Sequence, residues 1–203
     1  MEIVANKEVI AINQDSLGVQ AKKMKYLKPF NFYNEIFKDI LMKKAWKHGR
    51  LLGLNVDDKY VSLAVSDYKN INAVPLGGLH RQENNMSSMA DLFQSLISEH
   101  NIVGFVVSSP YMTCRESRPL PAEGKDFIDN LCKIVKVEGL KYTFWDGGIT
   151  SKNSDFVLNQ YVEFMSEHLP QDMSPTIMHK YYAVSVLQGY LDATNRMRTE
   201  ECD

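Results

Sequence analysis

Three carboxylates stand at the ends of apolar runs, where side chains that do chemistry often gather. Asp57 and Asp58 follow Leu51–Val56, and Asp146 closes Lys141–Asp146. A hard divalent ion takes oxygen ligands of this kind, so one reading of Asp57, Asp58 and Asp146 is a one-metal site near the strand ends. The other is structural: Asp57 and Asp58 are turn residues, and Asp146 caps the segment that follows. Lys59 in the same turn, with Arg115 and Arg118 in the loop Pro110–Pro121, are the cations placed to meet a phosphate backbone. They also read as ordinary surface charges. Zinc and thiol chemistry are not expected. Cys114, Cys132 and Cys202 are odd in number and widely spaced, and His48, His80, His100, His168 and His179 show no ligand spacing. Reduced thiols fit a cytosolic or nuclear setting.

The elements that would hold these residues are legible from periodicity. Leu51–Val56 is short, apolar and contains Gly53, as a strand covered on both faces would be. Asp57-Asp58-Lys59 breaks it as a turn. Val61, Leu63 and Val65 then alternate with Ser62, Ala64 and Ser66, the period of a hairpin partner. Asn72–Leu79 reads as a third strand and Ile102–Ser108 as a second fully buried one, with Lys141–Asp146 as the last. Met89, Leu92, Phe93, Leu96 and Ile97 predict a helix over Met86–His100. Phe127, Ile128, Leu131, Ile134 and Val135 predict another over Ala122–Val137, and Met178–Leu191 reads as a closing helix.

Leu51–Asp67 resembles the opening of the YqgF/RuvX family, nucleases of ribosomal RNA precursors and Holliday-junction-resolvase-like proteins of the RNase H superfamily. Its pattern is roughly I-x-G-x-D-x-G-x-K/R-x-G-x-A-x-S-D. Gly53, Lys59, Ala64, Ser66 and Asp67 match it, while the family's metal-binding Asp falls on Asn55 and its turn Gly on Asp57. Later segments keep the family's order. Ser109-Pro110 stands at its Gly-x-Pro turn, and Gly147-Gly148-Ile149-Thr150-Ser151 at its Glu-Arg-Leu-Thr-Thr. Ala183, Leu187, Gln188, Tyr190 and Leu191 match its closing helix. The resemblance covers about Leu51–Asp192.

It implies an RNase H-like α/β fold, with a five-stranded mixed sheet flanked by helices. The first three strands would be antiparallel and the last two parallel to the first. It also implies a chemistry: two divalent ions, held by carboxylates, that stabilise the attacking water and the leaving oxygen of a phosphodiester. Those three positions fall here on Asn55, Gly147 and His179. Asn keeps one neutral oxygen, Gly supplies none, and His is a poor Mg²⁺ ligand. The charge facing the ions drops from minus three to zero, so no catalytic residue and no cofactor is expected. Mg²⁺ or Mn²⁺ enters only if Asp57, Asp58 and Asp146 rebuild the centre.

The N-terminal fifty residues read differently. Asn6–Lys23 resembles a fragment of plant-type α-galactosidases, N-K-E-V-I-A-x-N-Q-D-x-L-G-x-Q-G-K-K. Such a barrel needs about 250 residues, so residues 1–29 are expected to be a loosely ordered extension without glycosidase activity. Phe32, Ile36, Phe37, Ile40, Leu41 and Trp46 then form an apolar stripe, predicting an amphipathic helix within 30–48. Its lysines are either solvated on a helix packed at the domain edge or part of a docking helix. The RNase H-like domain spans 49–195 and a tail 196–203.

With 203 residues and net charge −2, the chain is not a strongly basic nucleic-acid binder. No apolar run approaches the roughly 18 residues of a membrane span, and a cytoplasmic place is expected, the nucleus or an organelle being alternatives. Three functions remain open. One is a YqgF/RuvX-like protein without nuclease activity that acts in rRNA processing by binding RNA or a ribosome-biogenesis partner. The second is an active metal-dependent nuclease with relocated ligands. The third is a protein-interaction module working through the 30–48 helix.

Overall fold

The computed structural model describes residues 24–42, 49–81, 86–109, 122–135, 139–145 and 174–200. The elements are β1 (Lys25–Tyr26), α1 (Pro29–Met42), β2 (Arg50–Val56), β3 (Tyr60–Ser66), β4 (Ala73–His80), α2 (Met86–Glu99), β5 (Ile102–Ser108), α3 (Ala122–Ile134), β6 (Lys141–Trp145) and α4 (Ser174–Glu200). The sheet order is β1-β6-β5-β2-β3-β4. β2, β3 and β4 are antiparallel neighbours, while β5 runs parallel to β2 and β6 parallel to β5. The five expected strands therefore stand in the expected directions.

A sixth strand joins them. Lys25–Tyr26 pairs in parallel with Lys141–Tyr142. It lies within the 1–29 stretch expected to be loose, and burial of Met24 and Leu27 on either side of it supplies the reason. Residues 1–23, with the galactosidase-like segment, lie outside the described residues. α4 is longer than expected at both ends. Ser174-Pro175 supplies a helix-start signal four residues upstream. After Leu191 no Gly or Pro stops the helix before Glu200, so it continues through residues assigned to the tail.

The sheet is covered on both faces. On one, Leu52, Leu54, Leu63, Val65, Phe105 and Val107 pack beneath α2 and α3 through Phe93, Phe127, Ile128 and Leu131. On the other, Leu51, Ala64 and Val106 pack beneath α1 and α4 through Phe32, Ile36, Leu187, Tyr190 and Leu191. This second face explains the small residues that alternate along β3. Ser62, Ala64 and Ser66 do not face water; all three are buried, and their size lets α4 lie close. Gly53 does the same on β2, because a Cβ there would stand 2.6 Å from Leu187 Cβ.

α1 docks on the β5–β6 half of that face. Phe32 fills the space above Gly104, and Phe32, Tyr33 and Ile36 are buried. Glu35 bridges Lys25 at 3.0 Å and Lys141 at 3.3 Å, surface pairs worth well under about 1 kcal/mol each. The helix is thus packed on the domain, with Phe32, Tyr33 and Ile36 committed to the core and Phe30 left exposed. The side chains of Phe37, Ile40 and Leu41, and Trp46 altogether, lie outside the described residues. Tyr190 of α4 meets Phe32 and Trp145 edge-on and donates its hydroxyl to Pro29 O. Burial, with Tyr33 adding to it, pushes that phenol's pKa up.

The β3–β4 turn is built on Asp67. Its Oδ1 accepts from Lys69 N and Ile71 N, and its Oδ2 from Asn72 Nδ2. Partial burial raises the pKa of this carboxyl, but the donors from Ile71, Asn72 and Lys69 outweigh it and hold the value below the usual 3.8. A depressed folded value contributes stability that is fully present above the ordinary value and is lost as pH falls through the folded one. The urea midpoint should therefore fall below about pH 4. Asp67→Asn should flatten that part of the profile; an identical acid limb in the variant would remove Asp67 as its source.

Candidate nucleic-acid interface

The ends of β2, β5 and β6 point the same way, and Asn55 stands near the end of β2. β2 is the central strand. Its side chains alternate, so Leu51, Gly53 and Asn55 share the face beneath α4. Asn55 pairs directly with Ser62 on β3. The β2–β5 register ends at Leu54↔Val107 and the β5–β6 register at Ser108↔Trp145. Ser62, Asn55, Ser108 and Trp145 therefore form one row across the sheet, all on the α4 face. All four are neutral.

α4 lies antiparallel to β2. Its Ala183–Leu187 turn covers Gly53, and Gln188 reaches the start of β4, accepting from Ala73 N and donating to Ile71 O. The turn one step earlier in α4, which carries His179, therefore lies toward Asn55. Because α4 begins at Ser174, His179 falls in its second turn. The His179 side chain lies outside the described residues, as do Asp146, Gly147, Arg115 and Arg118.

Asp57 is a turn residue. Its Oδ1 accepts from Lys59 N at 2.8 Å and Tyr60 N at 2.7 Å, and its backbone carbonyl accepts from Arg81 Nη1 at 2.7 Å. That is an Asx turn, in which the carboxylate satisfies backbone donors that the tight bend leaves over. Asp58 and Lys59 project from it into solvent. Asp57, Asp58, Lys59 and Tyr60 line an open hollow of about 250 Å³ at the tip. Tyr60 stacks edge-on against His80 across the β3–β4 ladder. Arg81 and the Tyr60–His80 pair join Lys59 at this tip. The sequence does not single out Tyr60 or Arg81, and only strand pairing brings them together with His80.

The described residues do not fit a two-ion centre. Asn55 offers one neutral oxygen, and among the described residues no group of three His, Cys, Asp or Glu is placed to hold a metal ion. Nor is any described helix long and apolar enough to cross a membrane.

A mixed sheet with three antiparallel strands, two more parallel to the first, and helices on both faces defines an RNase H-like domain. Within that class the chain belongs to the RuvX family: the family model described as "RuvX: Holliday junction resolvase" matches residues 49–193. β1 and α1 precede the matched residues. A Lachnospira eligens protein named "Putative pre-16S rRNA nuclease" is 26% identical over 148 residues, 72% of this chain and 99% of that protein. Its namesake in Halalkalibacterium halodurans is 27% identical over 143 residues, 70% of this chain and 96% of that one. Among solved structures, T. thermophilus RuvC in complex with Holliday junction substrate aligns with a TM-score of 0.36 and 9% identity, over 72% of this chain and 96% of that chain.

Proposed function

We propose that this chain is a RuvX-family protein that acts in ribosomal RNA processing by binding RNA, or a processing partner, without cutting the strand. The observation that supports this is Asn55. It occupies the end of the central strand, on the face beneath α4, and its row holds no carboxylate among the described residues. A phosphodiester-cutting pair of ions needs anionic ligands at that place. The nearest carboxylate on the chain, Asp57, already accepts two backbone N–H groups. The relatives' names supply the ribosomal RNA context. Lys59 and Arg81 at the hairpin tip, with Arg115 and Arg118 further along the chain, are the cations for the phosphate backbone.

The test uses the full-length chain with a structured precursor rRNA and a branched DNA junction, with Mg²⁺ or Mn²⁺. The expected result is no divalent-dependent cleavage, and RNA binding that weakens steeply as salt rises, as phosphate contacts require. Metal-dependent cutting that disappears in Asp146→Ala would establish a rebuilt site instead. Binding only to a protein partner, indifferent to salt, would support a docking module.

A further inference from the structure

Where the residues depart from a metal centre, they leave something specific in its place. Asn55 and Ser62 face each other across the β2–β3 ladder, and directly paired Cβ atoms stand about 5 Å apart. Ser62 is fully buried, and its Oγ has no hydrogen-bond partner among the described residues. Asn55 is half-buried, and its amide likewise has none among them. Further along the row, Trp145 Nε1 is also buried without a partner among the described residues. Buried polar groups in folded proteins are nearly always satisfied, so an unpartnered buried hydroxyl directly opposite a half-exposed amide marks a place that takes a polar ligand.

The charge at this place selects the ligand. A carboxylate at position 55 repels a phosphate unless a cation lies between them. An amide has two N–H donors and no charge, so it can hydrogen-bond a phosphate oxygen directly. The Ser62 hydroxyl can donate to Asn55 Oδ1, which leaves Asn55 Nδ2 turned outward. We propose that Asn55 Nδ2 donates directly to a phosphodiester oxygen of a bound nucleic-acid strand, with no bridging cation, and that Ser62 is the positioning residue for that amide. The row across β3, β2, β5 and β6 is then a phosphate seat. This rests on the nucleic-acid-binding reading above, and it makes a claim of its own: binding is independent of divalent ions and is weakened by a negative charge at position 55.

The experiment is fluorescence anisotropy with the full-length chain, in EDTA and in Mg²⁺. One arm carries a structured RNA and the other a four-way DNA junction, which decides whose phosphodiester the seat takes. The unaltered chain should bind the preferred nucleic acid within about twofold in the two buffers. Asn55→Ala should bind about threefold more weakly in EDTA, and Asn55→Asp tenfold or more, with part of the loss regained in Mg²⁺. Ser62→Ala should weaken binding in the native background and have no further effect in Asn55→Ala, as expected when one residue acts through the other. In parallel, the Asn55 side-chain amide resonance should shift on adding the nucleic acid to the unaltered chain, a readout that does not depend on any variant folding. Binding that requires a divalent ion, an Asn55→Asp variant that binds unchanged in EDTA, or an unmoved amide resonance would overturn this proposal and leave nucleic-acid binding intact. No binding by the unaltered chain in either arm would remove both.

Discussion

Gly53→Ala should lower stability by about 3 kcal/mol, the upper part of the range for overpacking a closed interior. Gly53 sits at the centre of β2, where α4 crosses the sheet. An added Cβ would stand 2.6 Å from Leu187 Cβ and 3.0 Å from the Ala183 carbonyl oxygen. Neither atom is the loose end of a side chain; both move only if the helix moves. α4 is also anchored by Gln188 at Ala73 N and Ile71 O, and by Asn195 at Asn70 O. Backing it off the sheet therefore strains contacts at its other end. In a chain of this size the loss corresponds to a melting temperature roughly 6–12 °C lower. Gly78→Ala is the control, since a Cβ there meets nothing within 4 Å, and it should shift stability by less than about 0.5 kcal/mol. Equal urea midpoints for the two variants would mean that α4 does not lie as close to β2 as described.

Asn70→Ala should cost about 4 kcal/mol. Asn70 is 2% exposed and holds φ at 53°, a region a residue with a Cβ enters at a cost of about 1 kcal/mol or more. Asn tolerates it best after Gly. Its Oδ1 accepts from Ser66 Oγ at 2.6 Å, and its Nδ2 donates to Gly49 O at 3.0 Å. Ser66 Oγ in turn accepts from Leu51 N at 2.8 Å. Alanine strands the Ser66 hydroxyl and the Gly49 carbonyl in a buried place, at about 1–3 kcal/mol per group. The neighbouring Arg50 is bound into the same corner: its Nε donates to Ser66 O, its Nη1 lies 3.2 Å from His100 Nδ1, and its guanidinium lies over Tyr68. Asn70→Gly separates the two contributions, because it keeps the backbone shape and loses the same hydrogen bonds. It should be less damaging than Asn70→Ala by about 1 kcal/mol, and equal losses would show that the φ angle contributes nothing.

These two positions explain what the family pattern carries. Gly53, Ser66, Asp67, Ala183, Leu187 and Gln188 all match it, and each has a structural task. Gly53, Ala183 and Leu187 set the distance between helix and sheet. Ser66 and Asp67 build the β3–β4 corner, and Gln188 ties α4 to it. The motif was readable because packing and turn chemistry constrain residue type tightly. Asn55, the residue proposed to meet the phosphate, stands out in the sequence only as a departure from that pattern.

The five expected strands, the helices, the antiparallel hairpin, the Asp57 turn and the neutral side chain at position 55 were all determined by the sequence, because each depends on local periodicity, turn residues or a single side chain. The two-residue β1 was not legible, since two residues show no period and only pairing with β6 defines them. Nor was the full length of α4, whose start signal at Ser174-Pro175 and unbroken run to Glu200 lie outside the apolar stretch that marked the helix. Only the tertiary structure decided that Ser62 lies buried opposite Asn55, that Tyr60, His80 and Arg81 meet at one hairpin tip, and that α1 covers β5 and β6. Those facts depend on register and on contacts between residues far apart in the chain, and a pattern read along one strand holds no information about what is packed across from it.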